Sequence, residues 1–180
     1  MSRPVVNGET PIHVTLRVKP DVLNLRSKRS FRIIARALES AREWASARVV
    51  HYSVQGNHVH LVAEASDRKV LARRIQGLEV RIARALNKLM NRRGAVFADR
   101  YHARPLSTPL EVRRVIEYVL KNRRHHFGAT TSAFDPYSSA AWFDGWRSPP
   151  RPRVAGPPLV CEPRSWLLRV GWRRHGLIAP

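Results

Sequence analysis

The sequence predicts an α+β fold in which a four-stranded antiparallel sheet carries two helices on one face and is followed by an extra helix. Two observations predict it. Hydrophobic patterns with strand and helix periods alternate in the order strand, helix, strand, strand, helix, strand, helix, and the first six have the βαββαβ order of ferredoxin-like folds. The chain has 180 residues, 43% of them hydrophobic, which suffices for one core of ordinary size.

The first strand is predicted at residues 12–18, where apolar and polar side chains alternate. His13, Thr15 and Arg17 share its polar face, because alternate side chains of a strand point the same way. From residue 27 the period becomes helical, since apolar side chains recur every three or four positions. A helix is therefore predicted over residues 27–47.

Two strands in the middle of the chain are predicted to form a hairpin. The first covers residues 48–54, with Val50 on the same face as Tyr52, and the second begins at His58. Gly56 lies in the short turn between them, where glycine tolerates the positive φ angle of a tight hairpin. Strands so close in sequence must be antiparallel neighbours.

A second long helix is predicted over residues 69–93, with Ser66-Asp67 as its N-terminal cap and Gly94 as its C-terminal stop. Its apolar side chains keep the helical spacing throughout, and its other faces are rich in arginine. The following segment, residues 96–106, is predicted to be the fourth strand. These two elements complete the βαββαβ order.

The extra helix that carries Tyr118 has the clearest start signal in the sequence. Thr108 can cap its N-terminus, Pro109 takes the first helical position and Glu111 completes a capping box. The helix is therefore predicted from residue 109 to about residue 125, and Gly128 marks its end. Valine and isoleucine side chains form its apolar stripe. Tyr118 and Asn122 are four residues apart on the polar side, so they lie one above the other on the same face.

Charge is the strongest feature of the composition. The chain has 33 Lys and Arg against 13 Asp and Glu, a formal net charge of +20. Few acidic residues lie at helical spacing from the basic ones, so the predicted partner is a polyanion, and nucleic acid fits best. The candidate phosphate-binding residues are Arg17, Arg73, Arg74, Arg81, Arg100, Arg104 and Lys121.

Residues 129–180 differ from the rest. They hold 8 of the 13 prolines and 4 of the 5 tryptophans. The sequence therefore predicts one domain at residues 1–128 and an extended Pro/Trp/Arg-rich appendage at residues 129–180. Tryptophans beside arginines, such as Trp146 and Trp172, either stack on nucleic-acid bases or pack their rings onto the domain.

The sequence also limits the class of protein. It has no apolar run of the roughly 18 residues that a membrane span needs, and its N-terminus lacks the apolar segment of a secretory signal. Cys161 is the only cysteine, which excludes an internal disulfide and a cysteine zinc site. An intracellular, cytoplasmic protein is predicted.

His58 and His60 are two residues apart on the predicted third strand, so both imidazoles lie on one face. Such a pair can ligate a metal, although two structural histidines on a strand give the same pattern. A tyrosine hydroxyl such as that of Tyr118 can attack a phosphodiester, and a divalent cation can stabilise the charge that develops. The amide oxygen of Asn122 can supply a third ligand, and Mg²⁺ or Mn²⁺ suits this donor set.

Four segments together resemble the HUH single-tyrosine transposases of the IS200-like and REP-associated groups, where U is a bulky apolar residue. Asn-His-Val-His-Leu at residues 57–61 looks like the HUH motif. Residues 12–17 and 97–105 resemble the first and fourth strands of the family. Glu-Tyr-Val-Leu-Lys-Asn at residues 117–122 is similar to the Tyr-x-x-x-Asn helix of the REP-associated branch. The resemblance covers about residues 12–127.

The resemblance implies a metal-dependent enzyme, monomeric or homodimeric, that cleaves and rejoins single-stranded DNA at hairpin-bearing ends. Tyr118 would be the nucleophile that forms a 5′-phosphotyrosine and leaves a free 3′-hydroxyl. His58 and His60 would hold Mg²⁺ or Mn²⁺, with Asn122 as the third ligand. Many members have glutamine at this last position, and the family's Asn-Pro is Asn122-Arg123 here, which lets the helix continue.

Two other functions remain open. A domesticated relative would bind hairpin DNA or RNA without cutting it, although this sequence keeps every catalytic residue type of the family. A replication initiator or relaxase would use the same HUH pair, but such nucleases usually have longer chains with further domains. The first alternative is separated from a transposase by its lack of cleavage and by binding that weakens steeply with salt.

Overall fold

The computed structural model describes residues 10–127, 134–148 and 157–180. The elements are β1 (Ile12–Arg17), α1 (Lys28–Ala41), β2 (Ala47–Val54), β3 (His58–Ala65), α2 (Arg68–Leu89), β4 (His102–Pro105), α3 (Pro109–Phe127) and α4 (Trp166–Arg169). The four strands form one antiparallel sheet in the order β2-β3-β1-β4, and the predicted α+β arrangement is confirmed. Gly128 and the predicted domain boundary after it lie outside the described residues.

The sheet separates two hydrophobic cores. Helices α1 and α2 cover one face, where Ile12 and Leu16 of β1 pack with Ile34 and Ile75 of the helices. Helix α3 covers the other face together with parts of the tail. Because β1 alternates strictly, its polar side chains all point towards the α3 side of the sheet.

The predicted helix caps are present. The Asp67 carboxylate accepts hydrogen bonds from the first backbone N–H groups of α2, which lowers the pKa of this carboxyl group. At α3 the Glu111 backbone N–H donates to Thr108 Oγ1, and the Thr108 N–H donates to the Glu111 carboxylate. This reciprocal capping box fixes where α3 begins and therefore which of its faces meets the sheet.

Three predicted boundaries are wrong. Helix α1 ends at Ala41 instead of residue 47, because β2 already begins at Ala47. Helix α2 ends at Leu89, and Asn91 takes the left-handed conformation (φ 49°) before Gly94 does (φ 101°). The predicted fourth strand keeps only four paired residues, since the chain bends between an isolated bridge at Phe97 and the start of β4.

The hairpin of β2 and β3 corrects two further predictions. Its register shifts between Val49 and His51, so the bulge residue Val50 packs on the α3 side while Tyr52 stays in the core beneath α1 and α2. Gly56 has no positive φ angle. Its carbonyl instead accepts a hydrogen bond of 2.9 Å from the Leu25 backbone N–H.

The described parts of the tail pack against the domain and do not extend away from it. Trp146 and Trp172 are buried beside α3, and their indole N–H groups donate to backbone carbonyls of the tail itself. Of the two roles open to these rings, the structure therefore shows packing. Arg26 donates two hydrogen bonds of 2.8 and 2.7 Å to the Asp135 carboxylate, which ties the tail to the segment before α1. Within the described ranges, no helix is long and apolar enough to cross a membrane.

Candidate active site

The polar side chains on the α3 side of the sheet lie in rows across the strands. In the central row, Ser53 of β2 is paired with His60 of β3, which is paired with Thr15 of β1. In the neighbouring row, His58 lies opposite Arg17. The register of three strands therefore brings the two predicted metal ligands together with side chains from elsewhere in the sequence.

His60 is the centre of this arrangement and is only 5% exposed. Its Nδ1 atom lies 3.2 Å from Thr15 Oγ1 and 3.2 Å from His13 Nε2. Its other nitrogen, Nε2, lies 3.4 Å from the hydroxyl of Tyr118 on α3. The predicted nucleophile and one predicted metal ligand are thus in contact although 58 positions separate them in the sequence.

His58 lies beside His60, with 4.6 Å between the two ring centroids. Its Nδ1 is 2.8 Å from the side-chain oxygen of the preceding residue, Asn57. Because that oxygen can only accept, the neutral form of this imidazole carries its proton on Nδ1 and its lone pair on Nε2. This is the tautomer that a histidine needs in order to bind a metal through Nε2.

Helix α3 supplies the opposite wall of the site. Tyr118 is 40% exposed, so part of this residue is open to solvent. Asn122, one turn later on the same face, is fully buried, and neither of its amide atoms has a hydrogen-bond partner among the described residues. A buried amide without partners is costly, which makes its oxygen a strong candidate to bind an ion.

These donors fit a divalent metal ion. Two neighbouring imidazoles and one unpartnered amide oxygen give three ligands and leave positions open for phosphate oxygens and water. Over the described part of the chain, no three His, Cys, Asp or Glu side chains form a metal-binding group. The amide oxygen of Asn122 is therefore the candidate third ligand beside His58 and His60.

The model of the family described as "Transposase IS200 like" matches residues 9–122 of this chain. The chain belongs to the IS200-like transposase family. The match covers all four strands and α3 as far as Asn122, so every residue of the site lies within it.

The fold of this transposase is also similar to that of a solved structure described as a REP-associated tyrosine transposase bound to a REP hairpin. The two share 12% sequence identity, with a TM-score of 0.61 over 77% of this chain and 81% of the other. No curated protein matches the chain.

Three side chains of the transposase site were not among the predicted site residues: His13, Thr15 and Asn57. Burial lowers the pKa of His13 to about 4, and Arg104 and His102 contribute further, so this imidazole is neutral at pH 7.

The alternation of β1 showed which way His13 and Thr15 point, but their contact with His60 depends on the register between β1 and β3. For Asn57, the only signal was its position next to His58.

The predicted phosphate-binding residues of the transposase divide into two groups. Arg17 and Arg104 lie on β1 and β4 of the site face, opposite His58 and His13 respectively. Arg100 is exposed in the loop before β4. Lys121 lies next to Asn122, where its ammonium group is 3.3 Å from the Glu117 carboxylate.

The other group lies on α2, which covers the opposite face of the sheet from Tyr118. Arg73 and Arg81 are exposed, and the guanidinium group of Arg74 lies 5.9 Å from the centre of the Trp44 ring. The structure does not bring these three arginines to the site. These arginines could therefore bind only DNA that lies on the side of the sheet covered by α1 and α2.

Proposed function

We propose that this protein is a metal-dependent transposase that cleaves and rejoins single-stranded DNA through a covalent bond to Tyr118. The observation that carries the proposal is the 3.4 Å contact between the Tyr118 hydroxyl and His60 Nε2. It joins the nucleophile expected on α3 to the histidine pair expected on β3, in a chain that belongs to a transposase family. The unpartnered amide of Asn122 on the same helix face supports it further.

In the first step, the Tyr118 oxygen attacks the phosphorus of a DNA phosphodiester. The new bond is the phosphotyrosine P–O bond at the 5′ end, and the bond that breaks joins phosphorus to the 3′-oxygen. The tyrosine proton passes through solvent to the departing 3′-oxygen, which becomes a free hydroxyl. Strand transfer reverses these events with a 3′-hydroxyl from another DNA end, so no energy source is needed.

His58, His60 and Asn122 would hold Mg²⁺ or Mn²⁺ at this site. When bound, the ion polarises the phosphate and stabilises the negative charge of the transition state. The protein supplies alignment: the capping box fixes α3 and the sheet fixes both imidazoles, so the hydroxyl is held on rigid elements. Arg17 beside His58 would bind a phosphate next to the one attacked.

The proposed substrate is a single strand that carries a hairpin, because the similar solved structure is described as bound to a REP hairpin. The hairpin stem needs a basic surface apart from the narrow site, and the arginines of α2 offer one on the other side of the sheet. A flexible single strand would then pass the edge of the sheet to reach Tyr118. This path predicts contacts with backbone phosphates on both faces.

The test uses labelled oligonucleotides copied from palindromic repeats in the DNA beside the gene. With Mn²⁺, the wild-type protein is expected to form an adduct with DNA that survives denaturing electrophoresis. Tyr118→Phe removes only the hydroxyl and is expected to abolish the adduct while hairpin binding remains. Tyr137→Phe is the matched control, because it removes a tyrosine hydroxyl in the tail and should leave the adduct unchanged.

An adduct formed by Tyr118→Phe would contradict the assignment of the nucleophile. Hairpin binding by the wild-type protein without any adduct, at Mn²⁺ and Mg²⁺ concentrations up to the millimolar range, would contradict cleavage. That result would favour the alternative function, in which the protein binds hairpin DNA or RNA without cutting it. The salt dependence of binding then measures how many phosphates the arginines neutralise.

A further inference from the structure

Two side chains of β1 contact the nitrogen of His60 that faces away from Tyr118. Thr15 Oγ1 and His13 Nε2 both lie 3.2 Å from His60 Nδ1. Both come from the polar face of β1, the strand paired directly with β3. Neither residue is needed to complete the predicted ligand set, so their contact with a buried imidazole calls for a role of its own.

We infer that Thr15 and His13 are positioning residues that hold His60 in the tautomer with its proton on Nδ1. This inference rests on the proposed function, in which His60 binds the metal through Nε2. A neutral imidazole with a free Nε2 lone pair must carry its proton on Nδ1, and that proton needs an acceptor. Thr15 Oγ1 and the lone pair of His13 Nε2 both lie within reach of that proton, at 3.2 Å from His60 Nδ1.

The arrangement at His58 supports this inference. There the Asn57 oxygen accepts from Nδ1 at 2.8 Å, and an amide oxygen leaves no other choice of tautomer. His58 and His60 lie side by side with ring centroids 4.6 Å apart. The two imidazoles therefore present the same nitrogen, Nε2, with their Nδ1 atoms held by neighbouring side chains.

The Tyr118 hydroxyl is also consistent with this tautomer. Its oxygen lies 3.4 Å from His60 Nε2, and a hydroxyl can donate to a nitrogen that carries a lone pair. Thr15 is paired with His60 in the register of β1 and β3, so the acceptor is built into the rigid sheet. Rotation of the His60 ring by 180° would remove both Nδ1 contacts. The sheet therefore favours one orientation of this ring.

The experiment compares Thr15→Val, which keeps the shape but removes the hydroxyl, with Thr15→Ser, which keeps the hydroxyl. Mn²⁺ affinity of the DNA-free protein is measured from the electron paramagnetic resonance signal of free Mn²⁺. Thr15→Val is expected to weaken binding by about tenfold, and the double variant with His13→Leu by more. Thr15→Ser should stay within about twofold of the wild type, since it keeps the acceptor.

A second measurement reads the tautomer directly. Long-range ¹H–¹⁵N spectra of the metal-free protein distinguish protonated from unprotonated ring nitrogens, and His60→Ala identifies the signal. We expect a protonated Nδ1 in the wild type and in Thr15→Ser, and a mixture of tautomers in the double variant. Circular dichroism and the melting temperature show whether each variant folds, so that lost affinity is not mistaken for lost structure.

Two results would overturn the inference: a wild-type His60 protonated on Nε2, or a folded Thr15→Val protein with wild-type Mn²⁺ affinity. Failure of the proposed function looks different. If Mn²⁺ binds and Thr15→Val weakens it, but no variant or wild-type protein forms a DNA adduct, the positioning role stands and cleavage is wrong. If the adduct forms while Thr15→Val binds Mn²⁺ normally, cleavage stands and the positioning role is wrong.

Discussion

Asn122 is the residue at which the stability of the fold and the proposed function conflict. It is fully buried, yet neither of its amide atoms has a hydrogen-bond partner in the described part of the structure. Burying an unpaired amide costs about 1–3 kcal/mol, so a fold selected for stability alone would have an apolar residue here. Its position one turn after Tyr118 is the position that the proposed metal ligand needs.

Replacing Asn122 with leucine is therefore expected to raise the melting temperature of the metal-free protein and to abolish the adduct. The gain comes from removing an unpaired amide and is at most about 1–3 kcal/mol. Added Mn²⁺ should stabilise the wild type against heat but leave the variant unchanged, because the third ligand is gone. A strongly destabilised Asn122→Leu protein would instead show that the amide has a structural partner.

At the scale of single elements, α2 carries a pH-sensitive carboxyl group, that of Glu79. Burial raises the pKa of Glu79 from 4.5 to about 7, because the charged form loses solvent. Between these values the folded state keeps a proton that the unfolded state has already lost. The free energy of unfolding should therefore fall as the pH rises from 4.5 to 7, and the loss is complete above that range.

Glu79→Gln removes this titration and should make α2 more stable at high pH. The expected result is a higher melting temperature than the wild type at pH 8 and little difference at pH 4.5. Glu39→Gln, which neutralises an exposed carboxylate on α1, is the control for the change in net charge. An equal effect of Glu79→Gln at both pH values would show that this carboxyl group is not desolvated.

At the scale of the whole molecule, the tail is part of the fold. The buried pair of Arg26 and Asp135 joins segments 109 positions apart, and the side chains are 11% and 3% exposed. Arg26 also donates to the Val54 carbonyl and lies 4.4 Å from the centre of the Tyr137 ring. Breaking such a pair leaves an uncompensated buried charge, which is far more costly than losing a surface pair.

Asp135→Asn is accordingly expected to lower the free energy of unfolding by about 3–5 kcal/mol. Asp144→Asn is the matched control, because it breaks an ion pair with Arg173 in which the carboxylate is 81% exposed. That control should cost less than about 1 kcal/mol. Chemical denaturation followed by tryptophan fluorescence measures both, since the tail holds buried tryptophans. Equal costs would mean that the tail is not anchored by Asp135.

The sequence predicted the elements well because each depends on local patterns: alternation for β1, helical spacing for α2, a capping box for α3. The candidate site residues Tyr118, His58, His60 and Asn122 came from their spacing within single elements and from the resemblance to the HUH transposases, and their roles stay predictions.

The features that could not be predicted from the sequence depend on contacts between residues that are far apart in the chain. The contact between Thr15 and His60 follows from strand register, and the turn of Val50 towards α3 follows from a bulge. Likewise, nothing local distinguishes a tryptophan that stacks on DNA from one that packs under α3.

The hydrogen bonds between the tail and β2 also affect how exposed the edge of the sheet is. Strand β2 lies at one margin of the sheet, and such a margin invites pairing with a second chain. Here the Val54 N–H donates to the Tyr137 carbonyl, and the Val49 carbonyl accepts from the Cys161 N–H. These two backbone groups of β2 are therefore bonded to the tail and cannot pair with a second chain. The opposite margin, β4, is only four residues long and ends at Pro105, which lacks a donor. The tail and the shortness of β4 therefore leave fewer backbone groups at the two edges of the sheet for pairing with a second chain.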